Sequence, residues 1–309
     1  MSRTGVLALL CLLVMSPAYA EDTKDADDHP LLELVRERAQ DGDREDYGVR
    51  FGGYYATHTS RLEHEIAQAR VPAGEECAGH MAAGKFADLH AELGALHRSA
   101  GELEDAAAAY EKALSCRPRS TNLLAEHARV AMARRDISAA RASIDEALRI
   151  DPRATGLNRI AGDLDFLDGR WADAAARFRY VASGAEIPGE AAAAQLMYWV
   201  TQRRAGVPKP EFAPRRLVDD WPRPVMLYLS GEYSEADLAR VMKERAEPWE
   251  TGVPDHWLTE ALFYAGELRL ARGEPDAARL HFAAVVNIRQ SMLDEYSLAL
   301  AEIARLNSR

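Results

Sequence analysis

Gly101-Glu102-Leu103-Glu104-Asp105-Ala106, Arg135-Asp136-Ile137-Ser138-Ala139-Ala140 and Gly169-Arg170-Trp171-Ala172-Asp173-Ala174 are one turn written three times. Their starts are separated by 135 − 101 = 34 and 169 − 135 = 34 residues. The residues downstream keep the same phase. Ala106, Tyr110, Ala113 and Pro118 follow the first turn, and Ala140, Ile144, Ala147 and Pro152 follow the second. Ala174, Phe178 and Val181 follow the third, and Pro188 arrives two places late. Steps of three and four residues put these side chains on one helix face, so each period holds two helices joined at the turn. Antiparallel helices close tightly only where small side chains meet. Leu93-Gly94 with Ala106, His127-Ala128 with Ala140, and Ala161-Gly162 with Ala174 supply such places. The glycines suit the left-handed residue that ends a helix, and Pro118 and Pro152 stop each second helix.

A fixed period of this length resembles the tetratricopeptide repeat, a helix–turn–helix unit that stacks into a solenoid. The expected fold is all-α, a tetratricopeptide-type α-solenoid of antiparallel helical hairpins with a C-terminal capping helix. Three regular units occupy residues 87–188, and residues 189–309 hold irregular hairpins, a further unit at 259–290 and the cap. The turn returns at Gly231 and Gly273. Gly273 lies 104 residues beyond Gly169, against 102 for three periods, so two irregular hairpins fill the interval. Pro208, Pro210, Pro214, Pro222 and Pro224 keep helices there short, with one expected over 214–220. The last helix, expected over 291–306, carries Met292, Tyr296, Leu300 and Ile303 on one face.

Residues 1–20 have the order of a cleaved signal peptide: Arg3, an apolar run from Gly5 to Met15, then Ala18-Tyr19-Ala20. The run is too short to span a bilayer, and no other stretch is apolar enough to do so. Leu10 precedes Cys11 where a lipoprotein signal has a small residue, so no lipid anchor is expected. The chain is therefore expected in an exported compartment, the periplasm being the simplest. Cys77 and Cys116 then remain, and are read either as a disulfide or as two separate thiols. A bridge would close a 39-residue loop, contributing about 4 kcal/mol if chain entropy alone counts.

The net charge is −11, and removing Arg3 with the signal makes it −12. Eleven acids against five bases in residues 21–50 account for −6 of this. Residues 21–86 thus form an acidic segment, expected to hold one or two helices over 31–40 and 54–70. No basic stripe points to nucleic acid. Asp41, Asp43 and Glu45 have alternate spacing, but Asp46 and Gly52 stand where a calcium loop needs Gly and Glu. His64-Glu65 lacks the second histidine of a zinc-protease helix. His90 and His97 occupy packing positions. No catalytic residue, metal or cofactor is expected, and the chain is not read as an enzyme.

The order Tyr198-Trp199, Trp221-Pro222-Arg223-Pro224, Leu227-Tyr228-Leu229-Ser230-Gly231 and Phe263-Tyr264-Ala265-Gly266-Glu267 resembles the C-terminal half of the NlpI-like tetratricopeptide lipoproteins of the bacterial envelope. That resemblance implies a dimeric adaptor that brings cell-wall hydrolases or a protease together. Repeat geometry puts the groove on first-helix positions 2, 5, 9 and 12 of units counted from Ala87, Thr121, Thr155 and Thr259. The candidate groove residues are Asp88, Arg98, Asn122, Arg129, Arg159, Asp163, Phe166, Glu260, Phe263 and Glu267. Ala91 and Ala95 replace the Lys and Asn that grip a peptide C-terminus. Arg129 and Arg159 are placed to pair with an acidic group on a partner. The function expected is a scaffold for other envelope proteins or peptides, with a homodimer open. The alternative is a subunit of a secretion, pilus or outer-membrane machine.

Overall fold

Each of the three aligned turns ends one helix and begins another in the computed structural model, which describes residues 29–40, 43–68, 83–186, 188–212, 221–244, 256–288 and 292–308. The first hairpin is α3 (Ala83–Ser99) with α4 (Leu103–Cys116), after α1 (Pro30–Gln40) and α2 (Asp43–Gln68). The next two are α5 (Thr121–Ala133) with α6 (Ile137–Ile150), and α7 (Thr155–Leu167) with α8 (Trp171–Gly184). Then come α9 (Pro188–Arg204), α10 (Arg223–Ser230), α11 (Glu235–Glu244), α12 (His256–Ala271), α13 (Pro275–Ile288) and α14 (Asp294–Asn307). No strand occurs among the described residues. The molecule is an all-α solenoid.

The turns share one backbone solution. Gly101, Gly169, Gly231 and Gly273 take φ of 74–85°, and the next amide closes back on the carbonyl five residues earlier, as Glu102 does on His97 at 2.9 Å. The second hairpin has Arg135 there, also left-handed at φ 63°, with Asp136 N–H on the Ala131 carbonyl at 2.8 Å. The helices α4 and α6 stop two residues before Pro118 and Pro152, whereas Pro188 opens α9, where its missing N–H costs nothing.

Within the hairpins a glycine faces an aromatic ring. A Cβ on Gly162 would stand 2.9 Å from Phe178, one on Gly266 2.6 Å from Phe282, and one on Gly94 3.0 Å from Tyr110. The second hairpin has the less demanding pair Ala128 and Ile144, both fully buried. These contacts run into continuous cores shared between neighbouring hairpins, as expected when repeats cannot bury their faces alone.

The two ends depart from simple stacking. The N-terminal α1 packs on α11, α12 and α13, with Leu31, Leu32, Leu34 and Val35 buried in the C-terminal core. The start of α2 lies eleven residues before the expected 54, and Gly52-Gly53 falls inside the helix. Its Leu62 and Tyr55 dock on α3 and α4. The last helix, α14, packs on α13 as a cap does, and also reaches α12, α7 and α5. It buries Leu298, Ala299 and Leu306, while Met292 stays 43 % exposed and Tyr296, Leu300 and Ile303 are half-covered. The expected loop at 41–42, the short helix over 214–220, the signal peptide and Cys77 lie outside the described residues. Cys116 is disulfide-bonded.

Two substitutions separate these constraints. Gly266→Ala forces the new methyl into Phe282 and is expected to cost about 1–3 kcal/mol. Arg135→Gly relieves a left-handed side-chain residue and is expected to stabilise by about 1 kcal/mol. Chemical denaturation midpoints at matched m-values check both.

Candidate protein-binding surface

The candidate groove residues lie on the first helices of the hairpins, and their burial differs from position to position. Asp88 is exposed and held by Arg117 at 2.5 Å. Asn122 is exposed. The remaining candidates are covered or half-covered: Arg98, Asp163, Phe166, Phe263 and Glu267 are buried, and Arg129, Arg159 and Glu260 half-buried. What packs over several of these helices is α14 of the same chain. The expected acidic group was one on a partner; here Arg129 and Arg159 hold Asp294 of the same chain, at the first position of α14.

Asp294 is gripped from two hairpins. Arg159 of α7 bonds its Oδ2, and Arg129 Nε of α5 lies 3.5 Å from its Oδ1. Arg98 of α3 donates to the Met292 carbonyl at 2.6 Å and also bonds Glu126, which accepts from Arg129 at 2.9 Å. Burial alone would raise the Asp294 carboxyl, but Arg159, Arg129 and Arg98 overcome it and hold it at about 2. The neighbouring carboxyls are less well served. Burial, with the charge of Glu295, pushes Glu260 up to about 8, although Trp221 Nε1–H donates to it at 2.7 Å. Burial and Asp294 push Glu295 up to about 7. Asp163 is raised by burial against the pull of Arg159, 3.5 Å away. Four carboxyls thus share a covered space with Arg159 at its centre, and the Tyr264 hydroxyl sits beside them.

A second seam lies one hairpin further on. Glu302 of α14 bonds both Arg204 and Arg305. Arg204 is also paired with Glu267 at 2.9 Å, whose carboxyl burial pushes up to about 7. Both guanidinium groups lie over Phe166 and Trp171, 5.3–5.9 Å from the ring centroids. Arg305 donates to the Phe166 carbonyl at 2.9 Å, closing the end of α7.

Sequence reading placed Arg129, Arg159, Glu260 and Glu267 on the inner face but missed Asp294, Glu295, Glu302, Trp221 and the arginines Arg204 and Arg305. A signal was available. Glu295 and Glu302 stand seven apart, on the same side of α14 as Leu298 and Leu306. Acids on the covered side of a helix call for cationic partners. Other marked positions lie elsewhere. His90 is buried against Phe86, and burial lowers it to about 4. His97 shares a hydrogen-bond cluster with Tyr55 and Glu102. An outer cleft between α6, α7 and α8 is lined by Arg141, Arg170 and Arg177, all converging on buried Asp165.

No family model and no curated protein sequence matches this chain. Among solved structures it is similar to the pilF protein of Pseudomonas aeruginosa, at 19 % identity and a TM-score of 0.43, over 66 % of this chain and 92 % of that one. Among the described residues, no helix is long and apolar enough to cross a membrane.

The carboxyls under α14 fix a direction of pH dependence. Glu260, Glu295 and Glu267 keep protons in the folded chain that the unfolded chain releases near pH ~4.5. Their contribution is complete below that value and is lost as pH rises through about 7 and 8. Asp294 acts with the opposite sign, only as pH falls towards about 2. His90, lowered to about 4, adds stability with rising pH but is spent by neutrality. The urea midpoint is therefore expected to fall between about pH 6 and about pH 8, to level off above that, and to fall less in Glu260→Gln.

Proposed function

We propose that this chain is an exported protein-interaction scaffold whose inner groove takes a helix with acids on its facing side. The observation that carries this reading is α14 itself: Asp294 held by Arg129 and Arg159, and Glu302 held by Arg204. A partner helix presenting carboxylates at similar spacing would use the same arginines, whose planar forks suit that group. The α14 helix then acts as a resident ligand that such a partner displaces, and the exposed Asp88 and Asn122 at the open end are where a partner makes first contact. The signal-like residues 1–20 support a place for the scaffold in the bacterial envelope. The NlpI-like order of residues in the C-terminal half suggests cell-wall hydrolases or proteases as partners, and a dimer.

Capture from envelope extract tests the groove. Asp294→Lys repels Arg129 and Arg159 and is expected to free the groove and increase capture. Arg129→Glu with Arg159→Glu is expected to abolish capture while circular dichroism stays helical. Equal capture by both variants and the parent chain would show that the groove is not the surface used. Recovery of secretion or pilus subunits in place of hydrolases or proteases would replace the partner class, and a chain recovered from the cytoplasm with residues 1–20 intact would overturn the export reading.

A further inference from the structure

Three residues from distant parts of the chain meet in the C-terminal core. His29 directly precedes α1, Glu235 opens α11, and His281 lies mid-way along α13. All three are buried, His281 completely. Each offers one imidazole nitrogen or carboxylate oxygen, and these atoms lie within 4.8 Å of one another. The decisive feature is at His281. Its Nδ1 stands 2.8 Å from the Ala277 carbonyl. A carbonyl only accepts, so this contact requires Nδ1–H. A neutral ring then turns its bare Nε2 towards Glu235 Oε1, 3.2 Å away. Two lone-pair atoms hold that separation only with a cation between them, which is either a proton or a metal ion.

We propose that the cation is a divalent transition-metal ion, with zinc the best fit, bound by His29, Glu235 and His281. Zinc bonds of ~2.0–2.1 Å in a tetrahedron set ligand atoms about 3.3 Å apart, close to the separation observed. The carbonyl on Nδ1 is the outer contact that orients metal-binding histidines. Arg269 Nη2 holds the other Glu235 oxygen at 2.7 Å, and Oε1, which also accepts from Leu31 N–H at 3.4 Å, faces His281. Two imidazoles and one carboxylate select a borderline metal over calcium or magnesium, which prefer oxygen. A water takes the fourth position. Such an ion would staple the segment before α1 to the last hairpin. This site is independent of the groove reading.

Purified protein, stripped with a chelator, is titrated with zinc sulfate by calorimetry and with cobalt(II) by absorption. One equivalent is expected to bind, with visible tetrahedral cobalt bands and a rise in Tm. His29→Ala and His281→Gln should each weaken binding by at least the ~10–100-fold that disturbing an outer contact costs, and remove the rise in Tm. His29→Ala sits at the start of the described chain and keeps the test decisive if His281→Gln does not fold. Zinc binding that survives His29→Ala, as binding at the partly exposed His97, Glu102 and Asp105 would, overturns the proposal. So does the absence of binding, which would leave a proton as the bridge.

Discussion

The ring of Phe282 lies where a methyl on Gly266 would have to go, and Phe178 does the same to Gly162. This interlock brings the two helices of a hairpin together closely enough for an aromatic side chain to be buried between them. A fully buried ring of this kind contributes about 1.5–3 kcal/mol. More important than the energy is the repetition. The same contact at a constant offset, 178 − 162 = 16 and 282 − 266 = 16, gives successive hairpins similar shapes. Similar units stacked with a small rotation must curve. The inner face, and everything bound against it, follows from that curvature.

The chain uses the inner face on itself. A helix with Glu295 and Glu302 on its covered side would be a poor core element in a purely apolar setting, because buried carboxylates are costly. Here the groove meets them with arginines from several hairpins, and α14 is drawn across α5, α7 and α12. Buried ion pairs of this sort add little net stability, since desolvation offsets attraction. They select register instead, because a shifted helix would leave arginines and acids unmatched. The charges are also not balanced locally. Asp163, Glu260, Glu295 and Asp294 crowd around Arg159, so some of these carboxyls stay protonated well above their usual range.

The opposite end of the chain is tied down in a different manner. Segment α1 leaves the start of the chain and packs beside α11, α12 and α13. Its four buried aliphatic residues join the same core as Phe263, Tyr264 and Phe282. Leu31 N–H also approaches Glu235 Oε1 at 3.4 Å, next to His281. The C-terminal hairpins are therefore covered on one side by the first described helix and on the other by the last. Asp88 and Asn122, at the starts of α3 and α5, stay exposed.

The sequence by itself determined the helical hairpins, because their causes are local. Left-handed turn residues, prolines after second helices, and small residues facing large ones recur at a fixed spacing, and each acts within about one turn of its own position. It also picked out Arg129, Arg159, Glu260 and Glu267, which the structure places in the charged clusters at α14. It put Met292, Tyr296, Leu300 and Ile303 on one face of the last helix, and that face is exposed or half-covered. Only the tertiary structure decided that α14 turns its acids inward, that α1 joins the far end of the solenoid, and that His29, Glu235 and His281 meet. Those contacts join residues up to 204 positions apart, as Leu31 with Glu235 shows. Periodicity records what each helix must bury, but not which distant surface carries the matching charge.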